Sequence, residues 1–235
     1  MKHTEVLARF ERDVSSHTMS IENDDGVFRH LHFARGRSSC YHFTLTTWPG
    51  HLCIGGDMGT YVFSRLHDMF NFFRMDKHDF MRNEGELSIN PGYWSEKLQH
   101  GGRGYHHEVY TEWSSEAFEA RAQEYLDDWL ECAADDFDDE EDFEEAKEEA
   151  IEAIEELKQA SGYEYEAVTA VHDFSCEHIE LTDFFESSCR EASNGYIWCL
   201  YAIVWGIQQY DISKLAGSAM EKFFVYSLEV RDASK

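Results

Sequence analysis

A chain of 235 residues, 43% hydrophobic and 15% aromatic, can bury a sizeable core, which excludes a disordered polypeptide. Its 47 acidic residues against 20 Lys and Arg leave a formal charge of −27, which argues against direct binding of nucleic acid or an anionic membrane, since both require clustered cations. The opening MKHTEVLARFERDV lacks the apolar run of an export signal, and the longest apolar stretch, YIWCLYAIVWGI at 196–207, is too short to span a bilayer, so a cytoplasmic protein is expected.

In chain order, Val6, Leu7, Phe10, Val14 and Ile21 share one helical face, which predicts a first helix over about 1–22, ended by the NDDG turn at 23–26. VFRHLHFAR and CYHFTLTTW alternate with period two and predict strands joined by an RGRSS turn. WPGHLCIGGDMGTYVFS predicts a turn into a third strand, glycine punctuation at Gly55, Gly56 and Gly59, and a short fourth strand at 61–63. SRLHDMFNFFRM predicts a helix capped by Ser64, with Leu66, Met69, Phe70 and Phe73 on one side. Periodicity lapses from 77 to 108, where a Pro-Gly turn, a short amphipathic piece around 93–98 and the glycine-rich QHGGRGYHH suggest a connector. Helices are expected over about 114–132, 138–160, 164–190 (with a break near Cys176) and 193–210, and the alternation of Phe223, Val225 and Ser227 favours a final strand. The division this suggests is a sheet region at 1–82, a connector at 83–108 and a helical region with an acidic surface at 109–235.

The charge is polarised. Residues 112–157 hold 21 Asp and Glu against Arg121 and Lys147, a net −19. Phe143, Ala146, Ala150, Ile154 and Leu157 recur at steps of three and four, so one helix there has an apolar seam and an outer face built almost wholly of carboxylates. Like charges four residues apart cost a helix a few tenths of a kcal/mol per pair. A solvated face explains an isolated acidic run, but here the neighbouring helix adds more carboxylates, and charge spaced along two packed helices imitates a duplex backbone. The residues expected to meet a partner are Asp127, Asp128, Glu131, Asp135, Asp136, Asp138, Asp139, Glu140, Glu141, Asp142, Glu145, Glu148, Glu149 and Glu152.

Chemistry-bearing motifs are weaker. HDFSCEH puts His172 and Cys176 on one face if helical, with His178 elsewhere; without HExxH or CxxC these stay secondary metal candidates. His51 and Cys53 face one side of a strand. The aspartates at 135–142 superficially resemble a calcium loop but lack its glycine. GGDMG is a strand turn rather than a phosphate cradle, as no Lys follows. The six cysteines have no paired spacing and are expected as free thiols. No cofactor or catalytic set is indicated.

FTLTTWPGHLCIGGDMGTYVFSRLHDMFNFFR at 43–74, INPGYWSEKLQ at 89–99 and WCLYAIVWGIQQYD at 198–211, together about a quarter of the chain, resemble segments of an uncharacterised family carried by tailed phages and prophages. The resemblance implies an accessory protein in the bacterial cytoplasm, and acidic phage proteins of this kind include DNA-mimicking inhibitors of restriction and CRISPR systems. The expectation is therefore an α+β fold, with an N-terminal antiparallel sheet and flanking helices followed by a mostly helical acidic portion. The function expected is a non-enzymatic inhibitor bound to a basic, nucleic-acid-binding surface of a host defence protein, with homodimer formation left open. The alternative is a small metal-dependent or hydrolytic phage enzyme.

Overall fold

The computed structural model describes residues 3–99, 109–133, 137 and 139–232, with side chains up to 226 in the last helix. The fold is α+β as expected, and it divides into two compact units: Met1–Tyr110 with Ser193–Lys235, and Thr111–Ala192.

The first unit begins with α1 (His3–Val14), then β1 (Thr18–Asp25), β2 (Phe28–Ala34), β3 (Phe43–Trp48), β4 (His51–Gly56) and β5 (Gly59–Ser64). The five strands form an antiparallel meander in sequential order. The first helix is shorter than its periodicity suggests, because from Thr18 the chain pairs with β2 and Ile21 sits opposite Leu31 in the ladder. Asn23, Asp24 and Asp25 belong to that strand, and the turn falls at Gly26 and Val27, where Gly26 takes φ +60. Strict alternation along β3 turns Phe43, Leu45 and Thr47 inward. Leu31, Phe33, Leu52, Ile54 and Phe63 complete this buried face. Packed on it are α1 and the long C-terminal helix α8 (Asn194–Asp232), whose Trp198 meets Phe10 and Phe43 edge-on at 5.1 and 5.8 Å. Contact is close enough that a Cβ on Gly206 would lie 2.8 Å from Leu45 Cδ1.

Several expectations change here. Ser64 caps no helix, since its N–H donates to the Lys97 carbonyl at the end of β5; helix appears only at α2 (Phe70–Phe73), where Asp68 accepts from Phe70 N. Two short helices, α3 (Lys77–Arg82) and α4 (Pro91–Ser95), interrupt the expected connector. Most of its glycine-rich part lies outside the described residues. The final segment is helix rather than strand: α8 runs unbroken through 223–227.

A charge network around the buried Arg29 fixes α8 to the sheet. Arg29 reaches Asp68 with two hydrogen bonds of 2.9 and 3.0 Å, and its guanidinium lies over the Phe70 ring at 4.5 Å. Tyr210 Oη donates to Asp24 at 2.9 Å, and Lys214 reaches the same carboxylate at 2.7 Å. Burial pushes the Asp68 carboxyl up, but the paired guanidinium and the Phe70 N–H outweigh it and hold the group below its ordinary value.

The second unit contains β6 (Thr111–Trp113), α5 (Ser115–Ala133), α6 (Glu140–Lys158), α7 (Glu164–Asp173), a helical turn at Phe184–Glu186 and β7 (Arg190–Ala192). The helix expected over 164–190 stops at Asp173, with Phe174 extended, and the chain returns as β7, pairing antiparallel with β6. The second unit is thus an insertion whose entry and exit strands pair. The C-terminal helix belongs with the sheet, so the division of the chain at 109–235 does not hold.

Tyr110 and Ser193, the first unit's residues on either side of the insertion, are joined by a hydrogen bond of 2.8 Å from Ser193 N to Tyr110 O. Replacing Thr111–Ala192 by two glycines should therefore leave the first unit folded, with a cooperative thermal transition and a native near-UV aromatic spectrum. Loss of that spectrum would show that the sheet unit needs the insertion.

Candidate functional site

Charge follows the structural division closely. Thr111–Ala192 carries 29 acidic residues against Arg121, Lys147, Lys158 and Arg190, a net −25, whereas the remainder carries 18 against 16, a net −2. The candidate site therefore lies in the second unit.

There α5 and α6 pack antiparallel: Lys158 near the end of α6 reaches Gln123 Oε1 on α5 at 2.5 Å, and Trp129 towards the end of α5 lies 6.4 Å from Phe143 near the start of α6. Phe118, Ala122 and Leu126 of α5 meet Ala150, Ile154 and Leu157 of α6 and Ala167 of α7, all buried. The predicted seam forms, with Phe143 half-buried at its end.

Opposite that seam, Glu141, Glu145, Glu148 and Glu152 recur at steps of four, three and four residues, all exposed. Helix α6 holds ten acidic residues and two lysines over 19 residues. At about 1.5 Å of rise per residue its net charge recurs every ~3.6 Å, against about 3.4 Å for the phosphates of one DNA strand. Each basic residue of the unit has a local partner: Arg121 pairs with Glu124 at 2.6 Å, Lys147 with Glu144 at 3.0 Å, Lys158 with Glu155 at 2.7 Å and Arg190 with Glu164 at 2.5 Å. Glu141, Glu145, Glu148 and Glu152 have no ion-pair partner among the described residues.

The other expected contact residues fall into distinct places. Asp127, Asp128 and Glu131 are exposed on α5, Asp127 accepting from Gln123 Nε2 at 2.8 Å. Asp139 has a structural task, capping α6 by accepting from Glu141 N at 2.9 Å. Glu140 and Asp142 are exposed in the first turn, where the helix dipole favours carboxylates. Glu149 lies 3.4 Å from His178 Nε2. Asp135, Asp136 and Asp138 lie outside the described residues.

One feature escaped sequence reasoning. Phe137, Asp142, Glu145, Ala146, Glu149 and His178 line a recess of about 180 Å³. The rings around it cluster: Trp129 lies 5.7 Å from His178, and Phe137 lies 5.6 Å from Phe143. Aromatic walls with a carboxylate rim suit a guanidinium or ammonium group, through ring quadrupoles and charge together. The signal was dispersed over 129, 137, 143 and 178, which nothing in the sequence links.

The metal candidates are not assembled. Because α7 ends at Asp173, His172 and Cys176 do not share a helical face; His172 is exposed beside Asp173, and His178 belongs to the recess. The group of ligating atoms within 4.8 Å of one another among the described residues is Asp76, His78 and Asp79 at the start of α3, the first two exposed and Asp79 half-buried. His51 stacks on Trp48 at 5.0 Å, and burial pushes the Cys53 thiol up, away from the reactive thiolate. In GGDMG, Gly56 is needed for packing: a Cβ there would lie 2.2 Å from the His42 carbonyl oxygen. All six cysteines are unpaired. No helix among the described residues is long and apolar enough to cross a membrane.

No family model, curated protein or solved structure matches the chain.

Like charges along α6 oppose its folding. Changing Glu145, Glu148 and Glu152, beyond the first turn, to Gln should raise stability by about 0.5–1 kcal/mol at low salt, summed over a few pairs of a few tenths each. The gain should shrink in high salt, where exposed charges are screened. Thermal melts of wild type and variant at two ionic strengths check this, and a destabilised variant would mean the carboxylates hold the fold.

Proposed function

We propose that this protein is a non-enzymatic binder of a basic protein surface, with the exteriors of α5 and α6 as its contact face. The observation that carries the reading is the row of exposed carboxylates on α6, without ion-pair partners among the described residues, on a helix whose average net charge per unit length is close to that of one DNA strand and on a unit of net charge −25. Such a field accelerates encounter with a cationic partner and selects against anionic ones. A surface shaped to bind nucleic acid offers Lys and Arg at the matching density, so the partner class is a nucleic-acid-binding protein and the action is occupation of its site. The recess at Phe137 and His178 provides a seat for one arginine or lysine of that partner, converting a diffuse attraction into a positioned contact.

The resemblance of three segments to the tailed-phage family supplies the setting: an accessory protein in the bacterial cytoplasm, directed against a host restriction or CRISPR component. The structural economy of the acidic unit supports a role in binding. Its cations are spent locally on single carboxylates rather than interspersed along the outer stripe, where a helix selected for stability alone would place them.

Affinity capture from host lysate tests the reading. Wild type should retain a basic protein that elutes between about 50 and 500 mM salt, as the Debye length falls from roughly 14 to 4 Å. A Gln variant at 141, 145, 148 and 152 should lose it while remaining folded. Equal recovery by both proteins, independent of salt, would make the stripe a solvated face only.

A further inference from the structure

Burial along α8 stops abruptly after Tyr210. Ile212, Leu215, Met220, Phe224, Val225 and Tyr226 are 57–71% exposed, and Phe223 is 65% exposed. Single exposed apolar side chains are ordinary, but Ile212, Leu215, Met220, Phe223 and Tyr226 fall on one side of the helix and form a patch of the kind that marks an association surface.

Their order carries more information than their number. Ile212, Ala216, Ala219, Phe223 and Tyr226 recur at alternating steps of four and three, the spacing of a seam between paired helices, and Leu215 and Met220 flank it. On the seam side the apolar positions are symmetric about Ala219: Leu215 and Phe223 stand four residues to either side, and Ile212 and Tyr226 seven, while Ala216 on one flank mirrors Lys222 on the other. Two such helices running antiparallel would bring their backbones close at the small centre and set Leu215 against Phe223 and Ile212 against Tyr226.

Charge and area agree with a second copy as occupant. Segment 212–226 holds Lys214, Glu221 and Lys222, a net +1 in a chain of −27, so two copies can meet here without the repulsion that their acidic units would impose. Ile212, Leu215, Met220, Phe223 and Tyr226, the large apolar side chains on the seam side, each expose roughly three-fifths or more of the about 150–250 Å² that such groups carry. That side therefore offers on the order of 600 Å² per copy, the lower end of what a stable interface takes from each partner.

We propose that two copies of this chain associate antiparallel through residues 212–226 of α8, about a two-fold axis at Ala219. The association is independent of the acidic face.

Sedimentation equilibrium of the intact chain tests this. Wild type should have the mass of two chains, and Ile212→Glu with Leu215→Glu should have the mass of one, with an unchanged far-UV spectrum because both positions are exposed. Val225→Glu, on the opposite side of the helix, should remain paired. With the exposed Cys40 and Cys132 changed to Ser, Ala219→Cys should form a disulfide-linked pair on oxidation and Ile212→Cys should not, because only the residue on the axis meets its own copy. A wild type of single-chain mass, including one that sediments with phosphatidylcholine vesicles, would overturn the proposal. So would a pair that survives the double Glu change, one that Val225→Glu separates as fully, or crosslinking at 212.

Discussion

Mutual repulsion among the carboxylates of one inserted unit is the constraint around which this molecule is arranged. A net −25 on Thr111–Ala192 opposes compaction, and what holds the unit together against it is a narrow apolar interior. Alanines at 122, 146 and 150 let α5 and α6 approach closely, while Phe118, Leu126, Ile154 and Leu157 supply the buried area. Local pairing by Arg121, Lys147 and Lys158 relieves only a few contacts, and exposed pairs of this kind contribute little. The unit therefore maintains a dense outward charge at a cost in stability.

The sheet unit is built on the opposite plan. It is nearly neutral, its aromatic interior is closed by α1 and the first half of α8, and its few internal charges are paired. Arg29 is buried, yet it is held by the Asp68 carboxylate and by the faces of Phe70 and Tyr210, the last through a guanidinium-to-ring distance of 5.6 Å. This network sits where α8 leaves the core, so it sets the point at which apolar side chains pass from buried to exposed. The insertion begins and ends on adjacent backbone, which lets a strongly charged module be carried by a neutral scaffold.

Much of this was legible in the sequence, and the failures have physical causes. Period-two alternation located β2 and β3, the Pro-Gly turn and glycine punctuation located β4 and β5, and three-and-four spacing located α6 and its apolar seam, because each element presents one face to a core. Ile21 misled because one residue fits both a helical face and a strand, and only pairing with Leu31 decides between them. Phe223, Val225 and Ser227 alternate like a strand, but a helix already started and packed over 194–210 propagates at little cost, so α8 simply continues. The three-residue strands β6 and β7 are joined across almost 80 residues and have no local signal. The interrupted domain was equally invisible, since composition along the chain does not say which distant segments pack. Within the candidate site the carboxylates were legible by type and spacing, whereas the cap role of Asp139 and the recess of Phe137 and His178 depend on chain geometry.

The central claim is that the α5–α6 face takes the place of a nucleic-acid backbone on its partner. Competition tests it most directly: the captured partner, held on immobilised protein, is challenged with duplex DNA under constant ionic strength. The account predicts that DNA displaces the partner in proportion to its concentration, and that the free protein in turn releases bound DNA. A stable ternary assembly, with the partner holding DNA and this protein together, would contradict it.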